Sequence, residues 1–181
     1  DNNILNGKKI AVPDAEIATH AIVVAKTSSG ISLQLVDLNA DDVKIEKQEN
    51  IDESRGYFSI LFENSPTKLV GDETGGWELY EALMNQAAVL FGYEQIGGSQ
   101  AALDMAINYS KERYAFGRQI GSFQAIKHKL ADMYIALTLA KSNCYYAAWA
   151  LSTNSADITS AYATARVSAT KAYQICSKEN I

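Results

Sequence analysis

The chain has 181 residues, and at about one domain per 150 residues that allows one domain or two. Hydrophobic residues are 48% and charged residues 20%, a globular balance that excludes a disordered tail, a collagen-like fibre and a low-complexity linker. The net charge of −5 argues against a broad nucleic-acid footprint, and no apolar run reaches the roughly 20 residues that span a bilayer. Cys144 and Cys176 have no metal-ligand spacing and are too few for a disulfide framework. With no signal-peptide pattern at the start, the expected compartment is the cytoplasm, or the mitochondrial matrix in a eukaryote. Asp1 stands where an initiator Met would, and residue 181 falls inside a helical pattern without a stop signal. Both ends read as cut, so part of a larger protein is expected.

Up to about residue 70 the pattern is that of strands, at residues 4–12, 20–26, 31–38, 43–47 and 57–62. Turn formers separate them: Pro13-Asp14, Ser28-Ser29-Gly30, residues 39–42, and Asn64-Ser65-Pro66. Leu33 and Leu35 alternate with Gln34, Val36 and Leu38, which predicts a strand at least partly covered on both faces. Five short strands with brief loops predict an antiparallel sheet or part of a barrel.

After Gly71 the period changes, and Gly75-Gly76 leads into Trp77 and a helical pattern to about residue 109. A second helix is expected from Ser122, as its N-cap, to about residue 151. Its seam of Phe123, Ile126, Leu130, Met133, Leu137, Ala140, Cys144, Ala147 and Leu151 keeps a three-four spacing, the geometry of a packed bundle. Residues 152–155 break the chain. A third helix follows with a smaller-residue seam: Ile158, Ala161, Ala165, Ser168, Ala172 and Ile175. Inside the first helix Gly97-Gly98 costs about 1 kcal/mol per glycine relative to alanine, so either a close helix crossing or a ligand against the backbone should offset it. The fold class is therefore α+β, a strand region followed by an up-down helical bundle.

No self-contained catalytic motif appears: no phosphate loop, GxGxxG, HExxH, nucleophile elbow or CxxC. No metal site is expected. His20 and His128 read as surface residues. The connection between the first two helices, residues 111–124, is more informative. Arg113 sits at a helix end, Phe116-Gly117 makes an irregular turn, and Phe123-Gln124 opens the next helix. A guanidinium beside a helix N-terminus can bind an anion, Phe116 can cover an aromatic ring, and Gln124 offers both donor and acceptor. A surface arginine on a packed loop is the plainer reading, and the residue types alone leave both open.

Here the sequence closely resembles the acyl-CoA dehydrogenase family. The run Arg113-Tyr114-Ala115-Phe116-Gly117-Arg118-Gln119-Ile120 has the form R-x-x-F-G-R-x-I, and residues 123–133 read F-Q-A-I-K-H-K-L-A-D-M. Gly97-Gly98-Ser99-Gln100-Ala101-Ala102-Leu103-Asp104 resembles an earlier family segment. So do Leu5-Asn6-Gly7-Lys8-Lys9, as L-N-G-x-K, and residues 69–77, as L-x-G-x-x-x-x-G-W. The resemblance implies the later part of a middle β domain in residues 1–72 and most of a C-terminal helical bundle in residues 73–181. It implies FAD as cofactor, with Arg113 on the phosphates, Phe116 beside it, and Phe123 and Gln124 contacting the same FAD. It also implies an acyl-CoA substrate desaturated at Cα–Cβ, an electron-transfer flavoprotein as acceptor, and a homo-oligomer built as a dimer of dimers.

Three departures accompany the resemblance. The family's Glu base follows a G-G-x-G segment after the third bundle helix; Glu179 does not match it, so the base is expected beyond Ile181. The strand that carries W-x-T against the flavin reads Ala11-Val12-Pro13 here. An Arg that some members place near the thioester falls at Ala88, with Asn85 as a neighbouring polar contact; these two are the candidate substrate residues. Two alternatives stay open: a non-catalytic FAD-holding subunit of the same fold, and an acyl-CoA oxidase or flavin monooxygenase relative.

Overall fold

The computed structural model describes residues 3–181, which fall into two compact units that divide between Ala82 and Leu83. In the first unit five strands follow one another: β1 (Ile4–Pro13), β2 (His20–Lys26), β3 (Ile31–Asp37), β4 (Val43–Gln48) and β5 (Tyr57–Val70). All pairings among them are antiparallel. The first part of β5 lies between β1 and β4, and its last residues, 67–70, pair with β3, which in turn pairs with β2. Phe58, Ile60 and Phe62, two residues apart and so on one face, pack with Val23, Val36 and Leu38 into the core of this unit.

The expected turn at Asn64-Ser65-Pro66 is a corner within one long strand. There β5 passes from its partners β1 and β4 to β3. Asn64 takes φ of +60°, a left-handed conformation that asparagine tolerates. Its N–H donates to Asn6 Oδ1 at 2.8 Å, and the buried Ser65 hydroxyl donates to the Asp42 carbonyl at 2.9 Å. The polar residues that read as a turn satisfy the backbone at a bend. On β3, Ser32, Leu33, Gln34 and Val36 are all buried, as the alternation predicts. Gln34 donates to Ser32 Oγ at 2.9 Å and accepts from Thr67 Oγ1 at 2.9 Å, so its amide is satisfied out of water.

Three helices follow: α1 (Gly76–Glu112), α2 (Gln124–Thr153) and α3 (Ile158–Glu179). In the second unit the buried seam of α2 is Met133, Leu137, Ala140, Cys144, Ala147 and Ala150, close to the expected stripe. That of α3 is Ala161, Tyr162, Ala165, Ala169, Ala172 and Cys176. Ala169 and Cys176 therefore replace the expected Ser168 and Ile175. An alternating three-four step averages 3.5 residues and drifts against a helix turning every 3.6, so the buried stripe moves on by one residue. Four alanines in the α3 seam let the helix axes approach closely.

Gly98 sits under the ring of Tyr173, where an added Cβ would lie 2.6 Å from a ring carbon. That contact supports the close-crossing reading of the glycine pair at this position. Gly97 faces open space, and nothing in the structure explains it. Gly92, which carries no sequence signal, lets the Cys144 thiol approach: its Cβ would lie 3.0 Å from Sγ. Both cysteines are unbridged and buried, and burial pushes both thiols above their ordinary range. Asn154, in the left-handed region at φ 49°, closes α2 by donating its N–H to the carbonyls of Ala150 and Leu151. Among the described residues no helix is long and apolar enough to cross a membrane.

Candidate functional site

The α1–α2 connection is built as a tight hairpin. The Arg113 N–H donates to the Tyr109 carbonyl at 2.9 Å, and the Arg113 carbonyl accepts from the Ile120 N–H at 2.8 Å. Between them β6 (Tyr114–Ala115) and β7 (Arg118–Gln119) pair antiparallel, Tyr114 with Gln119 and Ala115 with Arg118. The two-residue loop is Phe116-Gly117, with φ of +52° and +77°. Positive φ at both central residues is the turn type whose twist matches a hairpin, and Asn-Gly or Gly-Gly fills it most readily. A phenylalanine there is an outlier that costs on the order of 1–3 kcal/mol. Gly121 lets the next segment pass Ser110, since a Cβ would stand 2.9 Å from that carbonyl oxygen.

The aromatic and cationic side chains form a small stack. Phe116 is 96% exposed at the tip and meets the Phe123 ring edge-to-face, centroids 6.3 Å apart. The Arg118 guanidinium lies over the Phe123 ring, 4.1 Å from its centroid. Sequence reasoning missed Arg118, because an arginine after Phe-Gly carries no periodic signal and its stacking partner comes five residues later.

The expected N-cap Ser122 does not cap α2. It lies in a short 3-10 turn, Ile120–Ser122, and its hydroxyl donates to the Gln119 carbonyl at 2.7 Å. Phe123 is the N-cap residue, with extended backbone angles and no side-chain hydrogen bond into the helix. The first N–H groups of α2 are thus left without a side-chain acceptor. Around them the sequence places Lys111, Arg113, Arg118, Lys127 and Lys129 against Glu112, a positive cluster in a chain whose net charge is −5. Neither Arg113 nor Arg118 is in an ion pair among the described residues, whereas Lys129 pairs with Glu179. Gln124, exposed, opens the helix.

Asn85 and Ala88 are half-buried, one turn apart on α1. Ala88 precedes Arg113 by 25 residues, about 37 Å of helix rise, so the structure does not bring these two candidates to the arginine turn. His20, exposed, hydrogen-bonds Thr19 Oγ1 at 3.0 Å, and His128 is exposed off the α2 seam. Among the described residues no group of three or more His, Cys, Asp or Glu is placed to hold a metal ion.

Replacing Phe116 by Asn should separate stability from binding. Asparagine tolerates the left-handed conformation, so the melting temperature rises by an amount equivalent to about 1 kcal/mol, while binding of any ligand that the exposed ring covers weakens. Thermal unfolding and ligand titration of the same variant read the two effects. A lower melting temperature would show that the Phe116 backbone is unstrained.

The family description "acyl-CoA dehydrogenase, C-terminal domain" matches residues 74–181. The probable acyl-CoA dehydrogenase YngJ of Bacillus subtilis is 32% identical over 160 residues, covering 82% of this chain and 42% of that protein. The caffeyl-CoA reductase-Etf complex subunit CarC of Acetobacterium woodii is 33% identical over 158 residues, again 82% of this chain and 42% of that protein. Among solved structures, one described as an FAD-dependent dehydrogenase superposes with a TM-score of 0.93 at 26% identity, covering 98% of this chain and 50% of that one. The chain spans less than half the length of the two curated relatives named here. On the match of residues 74–181, which carry the arginine turn and all of α2 and α3, the chain belongs to the acyl-CoA dehydrogenase family.

Proposed function

We propose that the chain forms part of an FAD-dependent dehydrogenase that desaturates an acyl-CoA thioester at Cα–Cβ and passes electrons to an electron-transfer flavoprotein. The observation that carries this reading is the α1–α2 turn. Arg113 and Arg118, without carboxylate partners among the described residues, lie on the hairpin that leads into the uncapped N-terminus of α2. Positive charge at the positive end of a helix dipole costs stability unless an anion sits there. A diphosphate is such an anion, and the residues present fit it. Arg113 would hold it through paired N–H groups, Phe116 would cover an aromatic ring beside it, and Phe123 and Gln124 would contact the same FAD. When bound, FAD supplies the acceptor for the β-hydrogen, which leaves as hydride.

The α-proton requires a carboxylate base. Glu179 is poorly suited: it is paired with Lys129, whose hydrogen bond lowers its carboxyl pKa. Glu179, at the end of α3, is thus a weakened proton acceptor engaged by Lys129 of α2, and we assign the base to no residue of this chain. Asn85 and Ala88 are assigned to the substrate side of α1. Residues 1–72 are assigned to the family's middle β domain and 73–181 to its bundle, the second range close to the matched residues 74–181. A homo-oligomer in the cytoplasm, or in the mitochondrial matrix of a eukaryote, completes the reading.

One observation favours a second reading, a non-catalytic FAD-holding subunit. On the β1 stretch that resembles the family's flavin-side strand, Ala11 takes φ of +53° and gives its N–H to Gln48 Oε1 at 2.9 Å. Pro13 has no N–H to give. Anaerobic addition of a series of acyl-CoA thioesters to the FAD-loaded full-length protein decides between the two. Loss of the flavin absorbance, restored faster by an electron-transfer flavoprotein than by O2, is the expected result. No loss with any thioester would leave the FAD-holding reading standing, and faster recovery with O2 would point to an oxidase.

A further inference from the structure

We infer that Arg118 is a positioning residue of this turn: its guanidinium grips the Phe123 ring, and Phe123 in turn sets the aromatic face that Phe116 presents. The inference rests on the reading of the turn as an FAD site. Its geometry is local. Arg118 is the first residue after the Phe116-Gly117 reversal and pairs with Ala115, so the hairpin fixes where its side chain starts. Its guanidinium carbon lies 4.1 Å from the Phe123 centroid, well inside the roughly 6 Å range of a cation–π contact.

The Phe123 backbone is held at both ends. Its N–H donates to the Ile120 carbonyl at 3.1 Å, and its carbonyl accepts from the Lys127 N–H at 3.1 Å. Only the side-chain torsions of Phe123 remain to be set, and a cation on the ring face sets them. Phe116 is 96% exposed, and the edge-to-face contact with Phe123 is the ring contact that orients it. The order of support is Arg118, then Phe123, then Phe116. A second cation at the positive end of α2 is electrostatically unfavourable by itself, and its stacking on Phe123 gives it a place there.

A double-mutant cycle on FAD binding to the full-length apoprotein tests this, with Arg118→Gln, Phe123→Leu and the pair, read by flavin fluorescence quenching. Arg118→Gln should weaken binding about two- to fivefold, the scale of an exposed cation–π contact, and Arg118→Lys should recover only part of that loss, because an ammonium keeps the charge but not the planar face that stacks on Phe123. In the Phe123→Leu background Arg118→Gln should add nothing. An equal loss in both backgrounds would mean that Arg118 acts on the anion directly and would overturn the inference. So would unchanged binding in Arg118→Gln, or a melting temperature of the apoprotein that falls in step with affinity. Arg113→Ala serves as the separate arm: no effect there overturns the FAD reading itself, whereas a loss there with none in Arg118→Gln overturns only the role of Arg118.

Discussion

Replacing Arg113 by alanine should lower FAD retention in the full-length protein by about tenfold to a hundredfold, and leave the fold intact. Hydrogen bonds to a charged group contribute about 1.5–3 kcal/mol, which converts to that range. Arg113 is exposed, its side chain is in no ion pair among the described residues, and only its backbone serves the turn, through Tyr109 and Ile120. Truncating the side chain therefore removes a ligand contact without removing a structural one. Arg113→Lys should recover part of the loss, because an ammonium restores the charge but not the planar fork. The remaining affinity of Arg113→Ala should depend less on salt than that of the wild type, since one screened charge pair has gone. Gel filtration followed by flavin absorbance measures retention. Unchanged retention in Arg113→Ala would remove the arginine from the cofactor site.

The second large effect is on folding, at Gly76. Its Cβ would stand 2.5 Å from the Ser32 Cα, 2.6 Å from the Ser32 carbonyl carbon and 2.7 Å from the Ile31 carbonyl oxygen. All three are backbone atoms of β3, a strand paired on one side to β2 and on the other to β5, so they cannot swing away as a side chain can. Gly76→Ala should cost about 3 kcal/mol, the upper end for overpacking. The gain in helix propensity, about 1 kcal/mol, runs the other way and is smaller. Against a total stability of about 5–15 kcal/mol, the variant should show a large fall in its denaturant midpoint. Gly75→Ala is the matched control, because its Cβ would meet only the Asp72 Cβ, at 3.8 Å, an ordinary contact. Equal midpoints for the two variants would show that β3 gives way.

These two residues mark how much was readable from the chain. Arg113 was legible as a candidate because arginine, an aromatic turn and a helix start follow one another within a dozen residues, and local order survives folding. Gly76 was legible as punctuation only. That it touches the backbone of Ser32, more than forty positions earlier, is a long-range fact without local pattern. The same division holds for Asn64-Ser65-Pro66. The residue types mark a place where the chain must bend, yet a turn between two strands and a corner within one strand need the same residues. Only the partners of β5 distinguish them.

The helical seams were open to reading because side-chain spacing along a helix directly sets the face it buries. The cap of α2 was not. A serine before a helix is a good cap in isolation, but here the hairpin turns Ser122 back to Gln119 and puts Phe123 at the boundary.

By itself the sequence determined the class of the fold, the order of its elements and the family, because those depend on local periodicity and on a contiguous motif. The tertiary structure decided which cation stacks on which ring, that Phe116 takes a left-handed conformation at the tip, and which glycines stand against a close neighbour. Each of those depends on close approaches across a turn or between elements. A close approach is a property of two segments together, and neither segment's residue types encode it alone.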